Sequence, residues 1–247
     1  MSDIMLDRLW LALLDTITMV GVSGGIALLA GTPLAVLLVL TTPGGILPWP
    51  RFNRIAGAII NAFRATPFIV LLVALIPLTR LITGSTIGLW AAVVPLSISA
   101  TPFFARIAEV SLREVDKGLI EAAQAMGCRR WHIVRHVLLP EALPGIVGGF
   151  TITLVSMIGA SAMAGAVGAG GLGDLAIRYG YQRFQLDVMA ITIVLLLLIA
   201  TRVVRYRWGV WFGHVLQVVL LSTGFIEILA AVTAAIASSP RRASMSR

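Results

Sequence analysis

Long apolar runs separated by short polar connections constrain this sequence more than any other feature. A helix that crosses a bilayer needs roughly 20 apolar residues, and five runs approach or exceed that length. They cover Ile17–Leu40, Ile55–Thr79, Ile87–Phe104, Ile146–Val167 and Val188–Val204. Only 12% of the 247 residues are charged, whereas a soluble domain carries about a quarter. Because the runs also lack the alternation of barrel strands, the sequence predicts an all-α integral membrane protein with five spans.

The basic residues of the connections predict the orientation of the spans. Cytoplasmic loops carry the excess of Lys and Arg, and Thr41–Arg54 and Ala105–Gly145 are the most basic connections of this chain. Both are therefore expected in the cytoplasm, which places residues 1–16 outside as an extracytoplasmic segment. Arg202 then lies at a cytoplasmic end, and the rule is met by all five spans.

A divergent tail, residues 205–247, does not fit the same rule. Its apolar stretch Val215–Ala237 is long enough for an extra helix, but a crossing would place Arg241 outside and Glu227 near the middle of the bilayer. The sequence leaves open whether this stretch spans the membrane, lies at its surface or packs on another helix.

Several motifs of soluble proteins are excluded. The phosphate-binding GxxxxGK[ST] loop cannot occur, because the single lysine, Lys117, follows Asp116. Gly168–Gly173 matches GxGxxG, but it follows an apolar span instead of a strand, so close packing or a tight turn is expected. The arginines that give the net charge of +8 lie between apolar runs, which disfavours nucleic-acid binding. We predict that the chain is not an enzyme and binds no cofactor.

Cys128, His132 and His136 recur at intervals of four residues, which could suggest a metal site. On a helix Cys128 and His136 are about 12 Å apart, too far for one tetrahedral ion. We predict a solvated polar face and no bound metal.

The polar stretch from Glu121 to Gly145 stands out in this apolar chain. Its apolar residues recur at helical spacing, Gly127 interrupts the pattern, Pro140 is expected to end the helical piece and Pro144 to start the next span. An amphipathic intracellular loop and a helix that docks on a cytoplasmic partner both explain this pattern.

The order Glu121-Ala122-Ala123, then Gly127, then Leu139-Pro140, resembles the EAA signature of ABC importer permeases. In that family a short coupling helix inserts into a groove of an ATPase subunit. The resemblance assigns coupling to Glu121, Ala122, Ala123 and Gly127, within a coupling segment of residues 114–140. ATP and Mg would then be bound by the separate ATPase subunit.

Further stretches resemble methionine-type ABC importer permeases over residues 17–204. They read RATPFIVLLVALIPLTRLITGSTIG, PLSISATPFFARIAEVSLREV, GLIEAAQAMG, VLLPEALPGIV and SAMAGAVGAGGLG. The resemblance implies a type I importer transmembrane domain in the bacterial cytoplasmic membrane. It also implies a homodimer, two ATPase subunits and an extracytoplasmic substrate-binding lipoprotein.

Methionine is the expected substrate, with another small polar substrate as the alternative. The first four spans contain almost no acids, which disfavours an ion-coupled carrier, and a non-transporting assembly factor would not need a coupling segment.

Two features inside the spans carry further hypotheses. Arg64 is a charge within an apolar run, either functional or snorkelling to the interface; with Pro67 it forms an RxxP element that resembles a recurring feature of these permeases, which favours a structural role. Proline is tolerated inside a membrane span, where it marks a kink or a packing site, and Pro67 is expected to do so. Ser161 and Met163 lie among small residues, which either pack helices closely or form a pore constriction with Met163 as a flexible apolar gate.

Overall fold

The computed structural model describes residues 3–204, and every regular element in this part of the chain is helical. The helices are α1 (Asp3–Leu40), α2 (Pro50–Ala65), α3 (Phe68–Ala74), α4 (Ile76–Thr83), α5 (Leu89–Arg113), α6 (Lys117–Ala125), α7 (Arg130–Ile133), α8 (Leu139–Ala166), α9 (Gly171–Leu175) and α10 (Leu186–Val204), with π-helical turns over Val134–Leu138 and Ala176–Tyr181. The tail, including the apolar stretch Val215–Ala237, lies outside the described residues.

Four helices among the described residues are long and apolar enough to cross a membrane. They are Ile4–Leu40, Leu89–Arg113, Arg130–Ala166 and Leu186–Val204. The first begins well before Ile17, so residues 3–16 continue the helix of the first predicted span. At 1.5 Å per residue this helix is about 57 Å long, longer than a bilayer core needs. The extracytoplasmic location of residues 1–16 stays a prediction.

The predicted span Ile55–Thr79 is divided into three helices. The chain bends by 104° between α2 and α3, and a further break at Leu75 separates α3 from α4. Pro67 causes the bend, because proline has no N–H to donate and forces the preceding residue out of the helical region. Thr66 accordingly has extended backbone angles, φ −77° and ψ 125°. The structure therefore confirms Pro67 as a kink, and a fifth span exists only if the bent pair is counted as one.

Helices α1, α5 and α8 form the centre of the bundle, with buried clusters at three levels. The middle cluster includes Met19, Leu96 and Met157. The cluster nearest the polar segment includes Phe104, Leu112, Leu138 and Ile146. At the opposite end, the first turns of α1 pack on α9 and α10 through Leu9, Leu172, Tyr179 and Val188. The core thus continues along α1 beyond the length of a simple span.

Candidate coupling site and permeation path

The polar segment contains two short helices, α6 and α7, and α6 has a defined start. Asp116 is its N-cap, and the Asp116 carboxylate accepts a hydrogen bond from the backbone N–H of Gly118 at 2.8 Å. Such a cap satisfies one of the free N–H groups of the first turn. The helix therefore begins immediately after the end of α5, with only Glu114, Val115 and Asp116 between them.

Gly127 ends α6. Its φ of +77° is in the left-handed region, which glycine adopts without steric cost. The N–H of Gly127 donates to the carbonyl of Gln124 at 2.9 Å, and the N–H of Cys128 donates to that of Ala123 at 3.1 Å. These two bonds define a Schellman end. Gly127 thus ends the helix that carries the EAA residues. The interruption predicted at this glycine is a Schellman end.

The side of α6 that faces away from the rest of the protomer exposes apolar side chains. Ala123 is buried, whereas Leu119 is 46% exposed and Met126 76% exposed, with exposed Ala122 between them on the same side. We call Leu119, Ala122 and Met126 the docking face; the exposed carboxylate of Glu121 lies beside it, about 100° around the helix from Ala122. Apolar side chains presented on a polar segment are typical of a surface that another protein covers.

A buried carboxylate forms two ion pairs near the end of α5, just before this segment. Glu109 has a side chain only 3% exposed, and its two oxygens lie 2.6 Å from Arg106 Nη1 and 2.7 Å from Arg113 Nη2. Arg113 Nη2 also donates to Thr42 Oγ1 at 3.0 Å. The end of α5 is therefore tied to the connection after α1. We did not predict this ion triad, although its spacing of three and four residues is the one at which charges meet on a helix.

The segment returns to the bundle at a close helix–helix contact. A Cβ on Gly145 would lie 2.6 Å from Ser111 Oγ, and a Cβ on Gly149 would lie 2.5 Å from Ile107 Cγ2. The two glycines are four residues apart, the spacing that lets helices in membranes approach closely. The two long helices on either side of the polar segment, α5 and α8, therefore touch each other here.

Pro140 does not end a helical piece, so that prediction is wrong. Pro140 opens α8, and the chain stays helical from Arg130 to Ala166. The π-helical turn explains this, because Leu139 N–H bonds to the carbonyl of Val134, five residues back. A π-turn displaces the usual four-residue pattern, so the proline needs no donor and causes no break. Pro144 likewise lies inside α8 instead of starting it.

The Cys/His series lies beside α6. The rings of His132 and His136 stack with centroids 5.4 Å apart. With Cys128 and Ala123 they border a surface cavity of about 210 Å³. Within residues 3–204, no three His, Cys, Asp or Glu side chains are arranged to hold an ion, and the expectation that this series binds no metal stays a prediction.

The structure separates the two candidate gate residues. Met163 is 49% exposed on α8, whereas Ser161 is 3% exposed and its hydroxyl donates to the carbonyl of Ile158 at 2.8 Å. Met163 shares its exposed face with Ser156 and Gly159, at helical spacing. Of these two residues, Met163 is exposed on the surface of the protomer and Ser161 is not. The gate hypothesis stays a prediction.

Arg64 lies at the end of α2, next to the bend. Its guanidinium is 5.9 Å from the centre of the Phe103 ring on α5, within the range of a cation–π contact. This contact connects the end of α2 to α5, which favours a structural role for Arg64.

An all-helical bundle with a bent second span and a capped, protruding helix between its central spans has the fold of a type I ABC importer permease. The profile of the family described as "binding-protein-dependent transport system inner membrane component" matches residues 31–212. Because the match covers more than half of the chain, this protein belongs to that family.

Similar proteins agree with this assignment. A probable D-methionine transport system permease protein of Vibrio cholerae is 50% identical over 198 residues, 80% of this chain and 86% of the relative. The D-methionine permease of Escherichia coli K12 is 50% identical over 165 residues, 67% of this chain and 76% of its own length. The inward-facing MetNI methionine ABC transporter matches with a TM-score of 0.81 at 48% identity, over 82% of this chain and 94% of that chain. An amino acid ABC transporter described with histidines shares the fold, with a TM-score of 0.62 at 20% identity over 83% of this chain and 97% of that chain.

Proposed function

We propose that this chain is the membrane subunit of an ATP-driven importer of methionine in the bacterial cytoplasmic membrane. The observation that carries the proposal is the identity of half of the aligned residues, over 80% of the chain, to a permease named for D-methionine transport.

The proposed transporter contains two copies of this chain, two ATPase subunits and an extracytoplasmic binding protein. The chain has no phosphate-binding loop, so ATP hydrolysis takes place on the ATPase subunits. Helix α6 is short and capped at both ends, and the side that faces away from the protomer is apolar. Its docking face therefore fits a groove on such a subunit. One chain supplies one docking face, which matches one ATPase subunit per protomer.

ATP-driven closure of the two ATPase subunits would move the two α6 helices towards each other. The movement passes to the spans through the Glu109 triad and through the contact of Gly145 and Gly149 with α5. Since α5 and α8 are central helices of the protomer, their displacement changes the surface that one protomer presents to its partner. Alternation between inward-open and outward-open states follows if ATP favours one of the two arrangements.

Uptake into vesicles tests the proposed substrate. Full-length chain reconstituted with its ATPase subunit and binding protein is expected to accumulate radiolabelled methionine only when ATP is present. Excess unlabelled methionine should compete, and histidine or glutamine should not. Accumulation of another amino acid in preference to methionine would contradict the substrate, and accumulation driven by an ion gradient without ATP would contradict the importer class.

The gate hypothesis predicts a leak in the Met163→Ala variant. Loss of the flexible side chain should open the constriction, so that methionine preloaded into vesicles escapes without ATP faster than from the unmodified protein. Ile152→Ala, on the same exposed side of α8, is the matched control and should not leak. An unchanged escape rate and unchanged uptake in Met163→Ala would exclude Met163 as a gate.

A further inference from the structure

Helix α2 is two-faced and has few contacts with the rest of the protomer. Within α2, Ile60 alone is buried against the described part of the protein. Ile55, Ile59 and Phe63 follow one another at four-residue intervals and are 62%, 53% and 38% exposed. This spacing forms a continuous apolar stripe along the helix. We call these three residues the apolar stripe of α2.

The other side of α2 is polar and basic. Arg54 and Asn61 are exposed and lie on the side of the helix away from the apolar stripe; Asn61, for example, is about 200° around the helix from Ile59. Arg51, also exposed, lies in the first turn, four residues before Ile55 and in line with the stripe. No acidic residue occurs in the sequence between Asp15 and Glu109, so nothing within this stretch neutralises the arginines. Exposed cationic side chains with no acidic residue in the same stretch favour an anionic partner.

The attachment of α2 fixes its direction. At its start the Asn53 side chain donates to the carbonyl of Leu38 at 2.6 Å, next to the end of α1. At its end the chain turns by 104° into α3. If α3 and α4 run across the bilayer with the rest of the bundle, α2 runs close to the membrane plane. The connection that contains its start is basic and is expected on the cytoplasmic side.

Aromatic residues mark the start of the helix. The rings of Trp49 and Phe52 stack with centroids 5.2 Å apart, and Trp49 is 61% exposed. Tryptophan is enriched at the boundary between lipid headgroups and acyl chains. A surface with this aromatic anchor, one apolar side and one cationic side matches a bilayer interface.

We propose that α2 lies in the cytoplasmic interface of the membrane and binds anionic phospholipid headgroups through Arg51 and Arg54. The apolar stripe then contacts acyl chains and Arg54 contacts phosphate groups above it. Arg51, in the first turn, reaches the same headgroups by extending its long side chain out of the apolar layer. This role differs from that of a transmembrane helix and does not depend on the transported substrate. A lipid bound here would hold the bend at Thr66 and Pro67 in place from outside the protein.

Nitroxide labels test the depth of α2. Ile59→Cys and Asn61→Cys, each in a Cys128→Ser background, are labelled in the full-length chain in phosphatidylcholine–phosphatidylglycerol vesicles. The label at position 59 should collide more often with oxygen than with a water-soluble nickel chelate, and the label at position 61 should show the reverse. Shielding of position 59 from both reagents, or a disulfide between two protomers of the Ile59→Cys variant, would instead place the apolar stripe in a protein interface and overturn the proposal.

Lipid selectivity tests the headgroup contact. Spin-labelled phosphatidylglycerol should associate with the protein in preference to phosphatidylcholine, and each of Arg51→Gln and Arg54→Gln should reduce that preference by about fivefold if each arginine acts at the membrane surface. Arg80→Gln, an exposed arginine outside α2, is the control for loss of charge alone. Unchanged selectivity in the double variant, or an equal loss in Arg80→Gln, would overturn the proposed binding.

Discussion

Replacing Gly165 by alanine is expected to lower the free energy of unfolding by about 3 kcal/mol, at the upper end of the usual cost of overpacking. A Cβ on Gly165 would overlap the backbone nitrogen of Asp174 and lie 2.7 Å from the carbonyl carbon of Gly173. Gly173 faces the same contact, because its own Cβ would meet the carbonyl of Ala162. Backbone atoms cannot rotate away as a side-chain tip can, so α8 and α9 would have to separate.

The contact of α8 with α9 also involves the first helix. Leu172 N–H donates to Thr16 Oγ1 at 2.9 Å, and a Cβ on Gly171 would lie 2.7 Å from the same oxygen. The short helix α9 is therefore held between α1 and α8 by glycine contacts on both sides. If α8 and α9 separated at Gly165, the contacts of α9 with α8 and with α1 would both be disturbed. The expected effect of a single methyl group is therefore large.

Unfolding in a detergent titration measures the effect, with Gly148→Ala as the matched control in the same helix. Nothing lies within 4 Å of a Cβ at Gly148. Alanine is also favoured over glycine in a helix by about 0.5–1 kcal/mol, so this control should be neutral or stabilised. Equal stability of Gly165→Ala and Gly148→Ala would show that α8 and α9 are not in contact as described.

The same glycines show what the sequence could predict. A GxGxxG match after an apolar span was expected to serve close packing or a tight turn, and the structure confirms both. Gly168, Gly170 and Gly171 have φ values of +90°, +84° and +76°, and Gly173 packs on α8. The context of the motif was sufficient, because a dinucleotide site needs a preceding strand.

Hydropathy located the central spans but failed at the second one. A hydropathy average counts the apolar residues of a run without regard to where they lie around a helix. The apolar residues of α2 lie on one side of a helix that is interrupted before the run ends. Arg64 and the pair Thr66-Pro67 were the local signals for the break, since the residue before a proline avoids helical angles. A hydropathy average dilutes signals of one or two residues, so the run was predicted as one span with a kink, and the size of the bend was not predicted.

The orientation of side chains on α8 could not be predicted from sequence. Ser161 and Met163 are two residues apart, about 200° around a helix, so one of them was bound to face inward. Which one does so depends on how α8 packs against its neighbours, and only tertiary structure sets that. The boundaries of α6, in contrast, follow from Asp116 and Gly127 alone, because a cap and a left-handed glycine act locally.

Glu121→Lys is expected to abolish ATP-driven uptake while leaving the protein folded. Glu121 is exposed, and none of the ion pairs formed among residues 3–204 includes it, so its replacement removes no contact within the described protomer. Beside the docking face, however, a lysine reverses the charge next to Ala122. Loss of one partner of a buried charge pair at an interface costs about 2 kcal/mol or more, which weakens association by about thirtyfold.

Three measurements on purified full-length chain separate docking from folding. Copurification with the ATPase subunit and uptake into vesicles should both be lost in Glu121→Lys, while its unfolding curve should match that of the unmodified protein. Glu141→Lys makes the same charge reversal at an exposed site at the start of α8 and should retain both activities. If Glu121→Lys binds the ATPase subunit and transports normally, α6 does not couple the two subunits. If Glu141→Lys fails equally, the loss reflects the charge of the whole cytoplasmic surface, because only a local contact distinguishes the two positions.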